Sequence, residues 1–148
     1  MAGVVLAAVP IAWAVITALS DFQTEREYVT EADRECAKYR PALQSLGPEP
    51  WQGDQETYTR YLRQRVTIIR SALKDWGDVK MPPSLQEKVN DSYFAADSAA
   101  VELEAAVDWA TAGNTDKAND HIDESRGLAT DAIRGARSAG LRICPLGF

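Results

Sequence analysis

The sequence predicts an all-α fold, with an N-terminal transmembrane or signal helix, a charged helical stalk and an antiparallel three-helix bundle. Three observations predict this class. A long stretch near the N-terminus carries no charge, apolar residues recur at spacings of three and four over three later segments, and the alternation typical of β-strands is almost absent. The chain of 148 residues has the length of one compact domain.

Residues 2–20, AGVVLAAVPIAWAVITALS, contain no charged side chain. A helix of these nineteen residues would be about 28 Å long, which is close to the ~30 Å hydrocarbon core of a bilayer. Pro10 is acceptable in such a helix because neighbouring groups can satisfy the carbonyl that it frees. We therefore expect residues 1–20 to form a single-pass membrane anchor.

Two other interpretations of this stretch stay open. The small residues Ala18 and Ser20 fit a signal-peptide cleavage site before Asp21, which would give a secreted domain. A buried helix of a soluble protein is the second alternative. Because the flank after Ser20 has no excess of Lys and Arg, the positive-inside rule predicts that the C-terminal domain of an anchored or secreted chain lies outside the cytoplasm.

Residues 21–40 are predicted to form the helical stalk. Seven charged residues lie within residues 25–35, which suits a rod exposed to water. An apolar stripe runs through the same segment: Val29, Ala32, Cys36 and Tyr39. Cys36 is therefore expected to face another part of the protein. Pro41 disfavours helical geometry at the residue before it, so the helix is expected to end or kink there.

Residues 41–53 form a predicted connection, because the sequence LGPEPWQGD at its end is rich in proline and glycine. Residues 54–148 are predicted to form the bundle and a C-terminal tail. Asp54 is expected to cap the first bundle helix, and Gly77 to end that helix in a left-handed turn. The inward side chains of this helix recur at spacings of three and four: Leu62, Val66, Ile69, Leu73 and Trp76.

The second bundle helix is expected to start at a capping box formed by Ser84 and Glu87, just after two prolines. Its inward positions follow a heptad-like pattern: Leu85, Val89, Ser92, Ala96, Ala99, Leu103, Ala106 and Ala110. Gly113 and Asn114 predict a tight turn into the third helix, which Gly140 ends. The inward positions of the third helix are Ala118, Ile122, Ser125, Ala129, Ala132, Ile133 and Ala136. The small side chains predict that these two helices pack closely as a hairpin.

The two cysteines, Cys36 and Cys144, are expected to form an intramolecular disulfide outside the cytoplasm, where such bonds persist. A bond that closes a loop of about a hundred residues stabilises a domain by roughly 4–5 kcal/mol in the chain-entropy model. An intermolecular bond between two stalks, which would make a homodimer, and a pair of free thiols stay open as alternatives.

The predicted disulfide constrains the topology. In a simple four-helix bundle that starts at Asp21, Cys36 would lie about 24 Å above the end of the last helix, and the residues that lead to Cys144 reach only ~14 Å. A disulfide needs its two Cα atoms within about 7 Å of each other. We therefore expect Cys36 at the base of a three-helix bundle, residues 21–35 as an exposed stalk below it, and residues 41–53 as the segment that climbs alongside the first bundle helix.

The net charge of -6 and the lack of any basic run argue against a nucleic-acid partner. No glycine-rich phosphate loop, nucleophile elbow or zinc-protease motif occurs, so the sequence predicts neither an enzyme nor a bound cofactor. His121 is the single histidine, and with Asp120 and Glu124 it forms a candidate divalent-cation site on one helix. A solvated polar face is the simpler interpretation, since zinc and di-iron sites use more histidine or cysteine ligands.

Two tryptophans are candidate contact points for a partner or a ligand. Trp51 lies in the proline-rich connection, where it either covers the top of the bundle or forms an exposed contact. Trp109 lies beside the inward positions of the second bundle helix, where it either packs at the edge of the core or borders a groove.

Alanine-rich helices, a cysteine near the first helix and the closing pattern of Gly140, Leu141 and Cys144 resemble many small exported or lipid-anchored helical proteins of high-GC Gram-positive bacteria. The leader here has no cysteine to be lipidated, unlike the lipoproteins among them. We expect a non-enzymatic interaction module at the cell envelope, with a protein or envelope material as its partner. A ligand-binding domain with an apolar groove and a protein that handles divalent metals are the alternatives.

Overall fold

The computed structural model describes residues 24–50 and 54–145. These residues form α-helices joined by turns, with no β-strand among them, which confirms the predicted all-α class. The helices are α1 over residues 24–37, α2 at Arg40–Ser45, α3 at Gln55–Gly77, α4 at Gln86–Thr111, preceded by a 3-10 turn at Pro83–Leu85, and α5 at Thr115–Ser138. Within the described residues, no helix has the length and apolar character needed to cross a bilayer. The predicted anchor, residues 1–20, lies outside the described residues.

Helix α4 packs against both α3 and α5 and runs antiparallel to each of them. The inward positions predicted for these three helices are buried, except for Val66 and Ile133, which are half-buried. Helix α3 contributes Trp76 and Leu62, the two largest fully buried side chains among the described residues. The core of the bundle therefore follows the helical periodicity of the sequence.

The interface between α4 and α5 is built from small side chains. Ser92 Oγ donates a hydrogen bond to the carbonyl oxygen of Ala132 at 2.6 Å, and Ser125 Oγ donates one to the carbonyl oxygen of Ala99 at 2.8 Å. The two bonds run in opposite directions and lie one heptad apart on each helix. Gly135 allows close approach as well, since a Cβ atom there would lie 3.1 Å from Ser92 Cβ. The two helices thus form the close hairpin that the small residues predict.

Most of the predicted helix ends are confirmed. Asp54 and Asn114 cap the N-termini of α3 and α5 through side-chain oxygens that accept hydrogen bonds from backbone N–H groups. Gly113 and Gly140, at φ of 79° and 90°, adopt the left-handed conformation that ends α4 and α5. The helix break near Pro41 is confirmed too, because α1 ends shortly before it and Pro41 lies in the first turn of α2.

Two predicted helix ends are wrong. Gly77 is the last residue of α3 and is not among the glycines with positive φ. This glycine instead makes room for Tyr93, whose hydroxyl oxygen would lie 3.0 Å from a Cβ atom at position 77. Ser84 and Glu87 form no capping box, because Ser84 lies inside the 3-10 turn and the N-cap of α4 is Leu85, which makes no side-chain hydrogen bond. The prolines before Ser84 fix φ, and the backbone enters α4 through this tight turn.

Helix α1 packs against the end of the bundle and does not project from it as an exposed stalk. Its residues Tyr28, Ala32 and Cys36 are at most 2% exposed. Trp76 Nε1 donates a hydrogen bond to Tyr28 Oη at 2.9 Å, so two aromatic side chains 48 residues apart in sequence join α1 to α3. The predicted water-exposed rod over residues 21–35 is therefore wrong for its described part, because one face of this helix is buried against the bundle.

The chain after α1 runs along α3. The Tyr39 hydroxyl donates a hydrogen bond to the Asp75 carboxylate at 2.6 Å, and this bond, together with partial burial, raises the pKa of Tyr39 to about 12. Further along the chain, the Glu49 carboxylate accepts a hydrogen bond from the Tyr58 hydroxyl at 3.3 Å. Residues 40–50 therefore lead from the C-terminal end of α3 towards its N-terminal end, and they include the short helix α2.

The C-terminal tail folds back onto α1 and forms a joint that we call the basal clamp. Its first part is the disulfide between Cys36 and Cys144, whose Cα atoms are 5.6 Å apart, and this bond confirms the predicted pair. Its second part is the Asp33 carboxylate, which accepts hydrogen bonds from the backbone N–H groups of Arg142, Ile143 and Cys144 at 2.8–3.0 Å. Successive backbone N–H groups of this kind hold a negative charge well.

Replacing both Cys36 and Cys144 by serine is expected to lower the free energy of unfolding by about 4–5 kcal/mol. The disulfide joins residues separated by 108 positions, and the chain-entropy model gives a loop of this size a stabilisation of that order. Urea unfolding of the full chain, followed by circular dichroism, measures the difference. Reductant should destabilise the wild type and leave the double variant unchanged, whereas equal stability of the two proteins would contradict the expectation.

Gly127 and Gly135 of α5 offer a matched pair of alanine substitutions. Nothing lies within 4 Å of a Cβ atom at position 127, so Gly127→Ala is expected to stabilise the protein by up to about 1 kcal/mol through helix propensity. At position 135 the Cβ atom would press on Ser92 of α4, and overpacking of this kind destabilises a core by about 1–3 kcal/mol. Thermal unfolding distinguishes the two effects, and a similar rise in Tm for both variants would refute the tight packing of α4 on α5.

Candidate functional site

Helix α4 carries a second regular row of side chains on the face opposite its buried positions. We call this row the outer stripe, and its members are Glu87, Asp91, Phe94, Ser98, Val101, Ala105 and Asp108. Each member follows a buried position by two residues, which places it about 200° away around the helix. Among the described residues, Phe94 and Val101 are the exposed large hydrophobic side chains, with 64% and 47% of their surface accessible.

The exposed ring of Phe94 is supported by aromatic contacts that reach into the core. The ring centroids of Phe94 and Tyr93 are 6.3 Å apart, and those of Tyr93 and Trp76 are 5.3 Å apart. Both pairs meet edge to face, the arrangement that the charge distribution of aromatic rings favours. Burial raises the pKa of the Tyr93 hydroxyl, which lies in the space left by Gly77. The ring of Phe94 therefore contacts Tyr93, which in turn packs on the buried Trp76.

Ion pairs between α3 and α4 hold the helix that carries the outer stripe. The Arg70 guanidinium lies 2.5 Å from a carboxylate oxygen of Asp97 and 2.6 Å from one of Glu104. The hydrogen bond to Glu104 raises the pKa of Arg70, and the same bond lowers the pKa of the Glu104 carboxyl. Because a single guanidinium bridges two positions one heptad apart on α4, it restrains this helix against sliding along α3.

The two ends of the outer stripe are acidic. Glu87 and Asp91 precede Phe94, and Asp108 follows Val101. Within the part of the chain that the structure describes, none of these three carboxylates forms an ion pair. The outer stripe also contains no lysine or arginine. The outer stripe therefore has an apolar centre and carboxylates at both ends, and none of these carboxylates is held in an ion pair within the described residues.

The predicted cation site is rearranged in the structure. His121 Nδ1 lies 2.6 Å from a carboxylate oxygen of Glu102 on α4, and both side chains are partly buried. Glu124 lies near this pair, and one potential ligand atom from each of the three residues lies within 4.8 Å of the others. Asp120, the third predicted candidate, is exposed and does not belong to this group. The hydrogen-bond partner of His121 therefore lies on α4, whereas the sequence analysis considered only neighbours on α5.

The two candidate tryptophans have different outcomes. Trp51 lies outside the described residues. Trp109 is half-buried and packs at the edge of the core, with the Lys117 ammonium 4.1 Å from the centre of its ring. A cation at this distance over an aromatic face is attracted to it, so Lys117 covers part of the Trp109 surface.

The sequence prediction did not include Phe94 and Val101. Both residues could have been found from the heptad pattern of α4. Each of them lies two residues after a predicted inward position, and therefore on the side of the helix that faces solvent. Comparison of the chain with models of protein families, with curated proteins and with solved structures finds no match. The outer stripe is therefore identified from the exposure and spacing of its residues on α4, without support from a similar protein.

Proposed function

We propose that this protein is a non-enzymatic extracytoplasmic interaction module, held at the outer face of a membrane by residues 1–20, and that it binds a protein partner through the outer stripe of α4. The observation that carries the proposal is the exposure of Phe94 and Val101 on a rigidly held helix. The two side chains lie about 10 Å apart along one row of the helix, and exposed apolar surface rimmed by polar residues is typical of sites that bind other proteins.

The location outside the cytoplasm is supported by the cysteines. Cys36 is 1% exposed and Cys144 is 3% exposed, and together they form a disulfide within the described core. Structural disulfides persist in oxidising compartments and are rare in the cytoplasm, where thiols are kept reduced. The uncharged stretch of residues 2–20 agrees with export or anchoring.

The charge pattern of the outer stripe defines the partner that fits it. An apolar centre between acidic ends complements an amphipathic helix that has apolar residues in the middle and lysine or arginine at both ends. A second copy of this stripe fits poorly, because Glu87 and Asp91 at one end and Asp108 at the other would meet carboxylates in either relative orientation. The proposed partner is therefore a different protein.

Site-specific photo-crosslinking in cells that make the full chain and its partner tests this proposal. Benzoylphenylalanine replaces Phe94, Val101 or, as a control, the exposed Thr130 of α5. We expect the same crosslinked product from positions 94 and 101 and none from position 130. The double variant Asp91→Lys and Asp108→Lys should reduce that product at least tenfold, since it reverses the charge at both ends of the stripe, whereas Asp131→Lys on α5 should leave it unchanged.

A folding control accompanies the experiment. Because Phe94 is 64% exposed and its one aromatic partner among the described residues is Tyr93, Phe94→Ser should lower the free energy of unfolding by no more than about 1.5 kcal/mol, the upper range for an aromatic pair. Crosslinks of equal yield from positions 94 and 130, or a product that is insensitive to charge reversal at Asp91 and Asp108, would refute the outer stripe as the binding surface.

A further inference from the structure

A cleft of about 320 Å³ lies where α2, the last turn of α5 and the C-terminal tail meet. Each of these three elements contributes one arginine to its lining: Arg40 from α2, Arg137 from α5 and Arg142 from the tail. Apolar residues line the cleft as well, among them Leu43, Ile133 and Ile143. The cleft therefore combines three cationic groups with an apolar wall.

The charged residues that line this cleft are all positive. No aspartate or glutamate is among its lining residues, and within the described residues Arg40, Arg137 and Arg142 form no ion pair. The nearby Asp33 carboxylate accepts hydrogen bonds from three backbone N–H groups of the tail, and it is not among the residues that line the cleft. In a chain with a net charge of -6, three arginines converge on one cleft without an acidic neighbour in its lining.

We propose that this cleft binds the head group of an anionic phospholipid. Guanidinium groups pair with phosphate oxygens through two parallel hydrogen bonds, which makes arginine a preferred phosphate ligand. The apolar wall suits the glycerol and the first methylene groups that follow a phosphate head group. A volume of about 320 Å³ is at the lower end of the range for ligand pockets, so the cleft fits a head group and not a complete two-chain lipid.

The cleft lies at the end of the bundle against which α1 packs. Cys144 lines the cleft and is bonded to Cys36, which lies twelve helical residues, or about 18 Å, after residue 24. Residues 1–20 enter the bilayer in the proposed function, so the inference rests on that location. Lipid binding can be measured on the purified protein without the proposed protein partner. The measurement is therefore independent of the outer stripe of α4.

Native mass spectrometry of the purified full chain in an uncharged detergent tests the inference. The probes are phosphatidylglycerol and phosphatidylcholine with the same acyl chains, each titrated into wild type and variants. We expect the wild type to bind phosphatidylglycerol more tightly. Each of Arg40→Gln, Arg137→Gln and Arg142→Gln should weaken this binding about fivefold, and the triple variant about a hundredfold, from the usual contribution of a basic residue near an anionic lipid surface.

The matched control removes the same charge elsewhere. The triple variant Arg26→Gln, Arg63→Gln and Arg65→Gln has arginines replaced outside the cleft and should bind phosphatidylglycerol like the wild type. Circular dichroism should show unchanged helicity in both triple variants, since none of the replaced arginines is buried: Arg65 is half-buried and the other five are exposed. Equal weakening in the cleft and control variants would show a response to net charge alone and would overturn the proposal.

Two further outcomes identify another occupant. Displacement of the lipid by millimolar inorganic phosphate, with equal affinity for the two lipids, would assign the cleft to a free phosphate and overturn the lipid proposal. Lipid binding that appears only after deletion of residues 146–148 would assign the cleft to the chain itself and would overturn it as well. A loss of crosslinking at the outer stripe with lipid binding retained would refute the proposed partner surface and leave this inference standing.

Discussion

In the basal clamp, one disulfide and three hydrogen bonds to Asp33 join α1 to a tail that follows it by more than a hundred residues. The rest of the structure depends on this joint. The tail begins at Gly140, where α5 ends, so the clamp fixes that end of the bundle against α1. With α1 held there, Tyr28 accepts its hydrogen bond from Trp76, and α2 is placed beside α5 so that the arginine-lined cleft forms between them.

Helix α4 carries the same heptad-like spacing on two of its faces, one buried and one exposed. Inward, alanine and serine let α5 approach until Ser92 and Ser125 reach carbonyl groups of the opposite helix. Outward, the same spacing displays Phe94 and Val101. Close packing against α5 restricts the movement of α4. A surface that is already restrained loses little conformational entropy when a partner binds. The close packing of small side chains on the inner face of α4 therefore favours binding at its outer face, because it holds the helix in place.

The sequence predicts the features that depend on local chemistry. Helical periodicity identifies the buried positions of α3, α4 and α5, and the caps at Asp54 and Asn114 follow from side-chain oxygens at helix starts. The packing of α1 could not be predicted in this way, because Tyr28 meets Trp76 across 48 residues of sequence and its seven neighbouring charges suggest a solvated rod. The role of Gly77 was missed for the same reason, since the ring of Tyr93 that requires it lies on another helix.

Of the two proposed sites, the sequence could have predicted only the first. The heptad spacing of α4 places Phe94 on its exposed face, whereas the arginine cleft forms only where α2, α5 and the tail come together.

If the basal clamp forms in an oxidising compartment, both of its cysteines are already bonded in the living cell. Thiol trapping in intact cells that make the full chain measures this state: a maleimide reagent of known mass is added at lysis under denaturing conditions, with and without prior reduction. We expect neither Cys36 nor Cys144 to be modified until reductant is added, after which both are. Modification of both cysteines without reduction, in protein that remains folded in the cell, would show that the domain folds without the disulfide and in a reducing compartment.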